Sequence, residues 1–132
     1  MMTRRNLFLT AAASGAALTL ASTGAALAGG SKGTFEGRSN HVTTGSVKVV
    51  KENGRYIVEL GDDFSLDGGP DPRVAFGKDG KYDPNTKLGA LLNLTGKQRY
   101  AVPPTLDISG HNEVYIWCEV AGVPLGVASI KH

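Results

Sequence analysis

Cys118 is the only cysteine in this 132-residue chain, and it sits in the run Val114-Tyr115-Ile116-Trp117-Cys118-Glu119-Val120. One thiol cannot close an internal disulfide or run a dithiol cycle. Three chemistries remain open to it: bonding to another protein or a small thiol, cycling through a sulfenic acid, or ligating a cofactor that carries the electron. The first two need access and a nearby cation or helix N-terminus. The flanking sequence offers neither, and its adjacent charge is Glu119. For the third, His41 and His111 are the candidate partner ligands to a haem. No Cys-x-x-Cys-His attachment site is present, so such a haem would be non-covalent. Each histidine lies among small polar residues, Ser39-Asn40 and Gly110-Asn112, where a histidine usually caps a loop or bonds a backbone carbonyl. His132 reads as a solvated terminal residue.

A second constellation is acidic. Asp63-x-Ser65-x-Asp67-Gly68 imitates the opening of a calcium loop, with Asp71 close behind. The bidentate acid that such a loop needs eleven residues after Asp63 would fall at Val74, so turn chemistry is the cheaper account. On that account Gly69-Pro70-Asp71 positions neighbouring strands, and Asp71 accepts backbone donors. No metal site is expected, with Asp63, Asp67 and Asp71 as the weak calcium alternative. No nucleophile elbow, zinc-ligand helix or phosphate-cradling glycine loop appears, which argues for an accessory module rather than a stand-alone enzyme.

The elements that must hold these residues read as strands. Ser46 to Lys51 and Tyr56 to Leu60 flank Asn53-Gly54, a strong hairpin signal. Further short strands are expected at 34–38, 73–76, 98–102, 106–108, 114–120 and 123–130. A helical turn or short helix is expected at most once, over 86–94. Gly and Pro separate the strands at intervals typical of sandwiches and barrels. The fold class is all-β: one small antiparallel β-sandwich of roughly eight short strands, or alternatively a partly closed barrel. Strand parity puts Val114, Ile116, Cys118 and Val120 on one face, which reads as the core side. On that reading Cys118 is a buried thiol.

The chain opens with an export address. Arg4-Arg5 precedes an apolar stretch running to about Leu27, and Ala26-Leu27-Ala28 offers a small-x-small cleavage pattern. The paired arginines followed by Leu7-Phe8 resemble a bacterial twin-arginine signal. The expected organisation is a signal peptide over 1–28, a short flexible leader over 29–32 and one β domain over 33–131. The protein is then exported to the periplasm, the exterior or the cell surface, or alternatively anchored by an uncleaved signal. The full chain carries 14 basic and 12 acidic residues, but Arg4 and Arg5 belong to the signal and no acid does. The mature part is formally neutral. No basic stripe with interleaved aromatics is visible, so neither a nucleic acid nor, after signal removal, a membrane is an expected partner.

Several short motifs follow one another along the chain. They are Gly33-Thr34-Phe35, His41 with Gly45-Ser46-Val47, Asp63-Phe64 leading to Gly69-Pro70-Asp71, Leu88 to Leu94, Gln98-Arg99-Tyr100 with Val102-Pro103, and Val114 to Cys118. In this order and spacing, from about Gly33 to Ile130, the chain resembles the DM-thirteen domain. That is a small extracytoplasmic domain proposed to act in electron transfer and often found beside DOMON domains. The resemblance implies that Cys118 matches the family's cysteine, suggested there as a redox thiol or a ligand to a prosthetic group such as haem. It implies an electron-transfer accessory role with a redox protein partner. The alternative is a non-catalytic β-sandwich binding or adhesion module in which Cys118 only packs.

Overall fold

The computed structural model describes residues 31–131; the expected signal peptide, the first two residues of the expected leader and His132 lie outside them. The described residues run through eleven strands: β1 (Ser31–Gly37), β2 (Thr43–Thr44), β3 (Ser46–Glu52), β4 (Arg55–Leu60), β5 (Ser65–Leu66), β6 (Pro72–Lys78), β7 (Lys81–Asp83), β8 (Gly89–Ala90), β9 (Gln98–Ala101), β10 (Glu113–Cys118) and β11 (Val123–Ser129). Nine of them form one antiparallel sheet in the order β9-β4-β3-β1-β11-β10-β6-β7, with β8 on the far side of β6. Strands β2 and β5 make a separate two-stranded ribbon. The all-β expectation holds, and the architecture is the partly closed barrel, a single sheet curled around one core.

Alternation explains which side is inside. Val47 and Val49 of β3, Val58 and Leu60 of β4, Val74 and Phe76 of β6, and Val114, Ile116 and Cys118 of β10 belong to one buried cluster. Phe35 and Phe64 meet edge to face at 5.4 Å at its centre. A register shift between Ile116 and Trp117 places an extra residue in β11, which sharpens the local twist and adds Leu125 to the core. The ribbon closes over this point. Thr43 packs on Gly126, where a Cβ would come 2.6 Å from the Thr43 methyl, and its hydroxyl donates to the Leu125 carbonyl at 2.8 Å.

Asn53 and Gly54 form the expected hairpin turn, with φ of 51° and 80° joining Glu52 to Arg55. Four expectations need correction. Ser31 and Lys32, assigned to the flexible leader, belong to β1, where ladder pairing with Val49 and Lys48 orders them. Residues 106–108 are irregular: Pro103 and Pro104 supply no N–H for a ladder, and Leu106 N instead donates to the Pro103 carbonyl. The helix of 86–94 is a single 3₁₀ turn, Pro84–Thr86, followed by β8. Its buried Thr86 hydroxyl accepts from Phe76 N at 2.8 Å and so stands in for a strand partner. Finally, β10 ends at Cys118, so Val120 leaves the core face and is 71% exposed.

Candidate functional site

Cys118 is the last residue of β10, facing inward and 1% exposed. Its thiol donates to the Pro70 carbonyl at 3.0 Å, and the sulfur accepts from Ala121 N at 3.4 Å. Two turns therefore seal it. One is the β10–β11 connection, closed by Gly122 N donating to the Cys118 carbonyl at 2.8 Å. The other is Gly68-Gly69-Pro70-Asp71, in which Gly68, Gly69 and Asp71 all have positive φ. Glycine accepts this backbone freely, whereas Asp71 does so against its preference.

Asp71 is held by its side chain. Both oxygens take a fork from Arg73, at 2.9 Å from Nε and 3.0 Å from Nη2, and this holds the Asp71 carboxyl below its ordinary range. The expectation of backbone donors to the Asp71 side chain gives way to this ion pair. The Asp71 carbonyl does accept from Glu119 N, at 3.2 Å, which ties the two sealing turns together. Lys87 bonds Glu119 at 2.9 Å on the same rim.

His41 reaches the same turn from the β1–β2 connection. Its Nδ1 lies 2.9 Å from Asp67 Oδ1, while Asp67 Oδ2 accepts from Val42 N at 2.9 Å. The Val42 and His41 bonds hold Asp67 below the usual carboxylate range. A Cβ on Gly69 would meet the His41 ring at 3.6 Å and Leu125 at 3.0 Å. His41 and Cys118 thus touch adjacent residues of one turn, Gly69 and Pro70.

His111 lies elsewhere, just ahead of β10, whose far end carries Cys118. Five residues of extended strand put on the order of 16 Å between those ends, beyond any shared coordination of one iron. His111 Nε2 is 2.9 Å from Asp83 Oδ2, and its ring packs beside Phe76. The His111 bond and that of Asn85 N pull Asp83 below its ordinary value. The three acids of the calcium alternative are each engaged separately. Asp63 accepts from the amide and hydroxyl of Ser46, Asp67 holds His41, and Asp71 holds Arg73. Among the described residues no group of three or more His, Cys, Asp or Glu side chains converges to hold a metal ion.

As for haem, the sulfur is occupied by two backbone partners and packed into the core, and Cys118 lines none of the clefts at Lys51–Ser109, Lys32–Lys97 or Lys78–His111. The residues around the sulfur do not fit a haem while the 68–71 turn is in place.

On the outer side of the same strands is a feature that the sequence reading missed. Tyr82 stacks on Trp117 at 3.7 Å and 3°, and Tyr115 meets Tyr82 edge to face at 5.7 Å. Trp117 and Tyr115 share the face opposite Cys118, as parity requires, but nothing local in the sequence marks Tyr82 as their partner. It arrives through β7, which pairs Tyr82 with Gly77.

Comparison with known proteins adds one match. A family model described as electron transfer DM13 matches residues 34–130. No curated protein and no solved structure matches the chain.

Proposed function

Because the chain belongs to the electron transfer DM13 family, we propose that it is an extracytoplasmic redox accessory domain whose one thiol, Cys118, reacts with a protein partner when the 68–71 turn is displaced. The observation that carries this reading is the seal itself. Both hydrogen-bond partners of the sulfur, the Pro70 carbonyl and Ala121 N, belong to short turns, and the Asp71–Arg73 fork pins one of them. Loop segments of this kind open at far lower cost than strands.

The step balances with a partner disulfide as the oxidant. The Cys118 thiol loses its proton to solvent, and the sulfur attacks one sulfur of the partner's disulfide. A mixed disulfide forms as the partner's S–S bond breaks, and the partner's other sulfur leaves as a thiolate. Resolution needs a second thiol from a partner, since this chain has none.

Burial at 1% also favours a second reading, in which Cys118 only packs and the domain is a non-catalytic binding or adhesion module. Native-state labelling with a thiol reagent separates the two. Opening of the turn predicts slow labelling of the folded protein, accelerated a few-fold by Arg73→Gln, which releases the Asp71 fork. Labelling of both proteins only after global denaturation, with the same urea dependence, would remove the thiol-exchange reading and leave the packing one. A Soret band in protein exported from its native host, lost in Cys118→Ser, would instead make the sulfur a haem ligand.

A further inference from the structure

Residues 31–131 carry equal numbers of acidic and basic side chains, and that balance conceals a strongly uneven distribution of charge. The antiparallel register brings Lys131 opposite Lys32, Lys32 opposite Lys48, Lys48 opposite Glu59, and Glu59 opposite Arg99. These five residues make one row across the outer face of β1, β3, β4 and β9 and the segment after β11. At about 4.8 Å between neighbouring strands, the row is roughly 19 Å long. Lys97 adds a further cation at the β9 end.

Glu59 is the only acid in the row, and three cations share it. Lys48 Nζ lies 3.3 Å from Oε1, while Lys97 Nζ and Arg99 Nε lie 3.4 and 3.5 Å from Oε2. Arg99 also bonds Glu52. Lys32 and Lys131 form no ion pair among the described residues, although Lys32 stands directly between two other lysines. Like charges placed directly opposite in a ladder are destabilising, so the fold retains a row that works against its own stability. Beside the row is a cleft of about 280 Å³ lined by Lys32, Lys48, Lys97, Glu59 and Asp62, among others.

We propose that this row is a docking surface for an extended, phosphate-bearing polyanion lying across the strands. The charge is arranged in a line one side chain wide, which suits a chain better than a broad protein surface. On one side of the row the outward residues are Val50, Ile57 and Ala101, which offer an acidic protein surface nothing to pair with. Four of the five cations along this face that meet the row are lysines. A lysine ammonium is a compact charge that meets a tetrahedral phosphate from any direction, and Lys32 and Lys131 are left to do so while Lys48, Lys97 and Arg99 share Glu59. The surface is independent of Cys118, which faces inward from β10.

The test uses the full chain and long-chain inorganic polyphosphate as the probe, with binding measured across a range of salt concentrations. Lys32→Gln with Lys48→Gln is expected to weaken binding by about tenfold or more at low salt. It should also lower the slope of log K against log salt by roughly 0.7 for each charge removed. Lys81→Gln, on β7, should change neither. The double variant relieves the Lys32–Lys48 repulsion but gives up the Lys48–Glu59 ion pair, so urea melts run alongside should show it nearly as stable as the parent. Unchanged affinity and slope in the double variant would overturn the proposal. Equal binding of poly-glutamate at matched charge would overturn it in favour of an acidic protein partner, and tighter binding to vesicles rich in anionic lipid would do so in favour of a membrane.

Discussion

On the outer face of β6, β7 and β10, Gly77 leaves room for the Tyr115 ring to lie over the backbone, with Tyr82 and Trp117 stacked beside it. On the outer face of β1, β3, β4 and β9, the corresponding positions carry lysines, an arginine and one glutamate, with Lys48 56% and Lys97 64% exposed. Both faces belong to the same continuous sheet, and both lie behind the same core. The aromatic half gains from ring packing, which is short-ranged and sensitive to a single methyl group. The charged half gains little from its solvated ion pairs and leaves cations unpaired. The difference separates a face that stabilises the fold from one that the fold merely carries.

The largest expected effect breaks the aromatic half. A Cβ at Gly77 would overlap Tyr115 Cε1 and stand 2.6 Å from the Lys81 carbonyl oxygen, a backbone atom that cannot swing aside. Gly77→Ala should therefore cost about 3 kcal/mol, at the upper end for overpacking, read as a lower urea midpoint with unchanged slope. A loss below about 1 kcal/mol would mean that the rings are loosely seated and that the two halves do not differ as argued.

A smaller effect of opposite sign tests the same stack. The Tyr82 hydroxyl is buried and, with His111 Nδ1, lacks a partner among the described residues. Burial first, then the nearby charges of Glu119 and Asp83, push its pKa up to about 12. Tyr82→Phe keeps the stack and removes the orphaned group, so it should gain about 1 kcal/mol. The phenol is held neutral in the fold and ionises near its ordinary value when unfolded. Wild-type stability should therefore fall as pH rises from about 10 to about 12, because the unfolded phenol ionises before the folded one. That loss should be missing from the Phe variant, and a phenolate absorbance near pH 10 assigned to Tyr82 would sink the account.

Much of the inner architecture was legible because alternation and turn chemistry are local. Asn53-Gly54 marked its hairpin, and parity placed Val114, Ile116 and Cys118 inside. Parity failed at Val120 because nothing in the alternation itself announces that β10 stops at Cys118 and turns. Leu106 and Ile108 have strand-like spacing, but they reach the core from an irregular segment behind two prolines. The short strands β2, β5, β7 and β8 have too few residues to show a period. The site's partnerships were illegible for another reason. His41 and Asp67 are 26 residues apart, His111 and Asp83 are 28 apart, and the lysine row spans Lys32 to Lys131, so each depends on a register that only the folded sheet supplies.

The smallest expected effect concerns the charged half. Burial alone would raise the pKa of Glu59, but the hydrogen bond from Lys48 and the charges of Lys97 and Lys48 outweigh it and bring the carboxyl below its ordinary 4.5. A carboxylate with a depressed folded value contributes stability above its unfolded value and loses it as pH falls through the folded one. Wild type and Glu59→Gln should therefore differ at pH 7 by under about 1 kcal/mol, since the cations stay solvated whichever residue they face. The two should converge in acid, below the folded value. Molar salt should shrink the gap at neutral pH while leaving the penalty of Gly77→Ala untouched, because screening reaches exposed charges and not packed rings. A gap that persisted in acid and in salt would show that Glu59 holds the sheet by packing, and the charged face would then be as much a part of the fold's stability as the aromatic one.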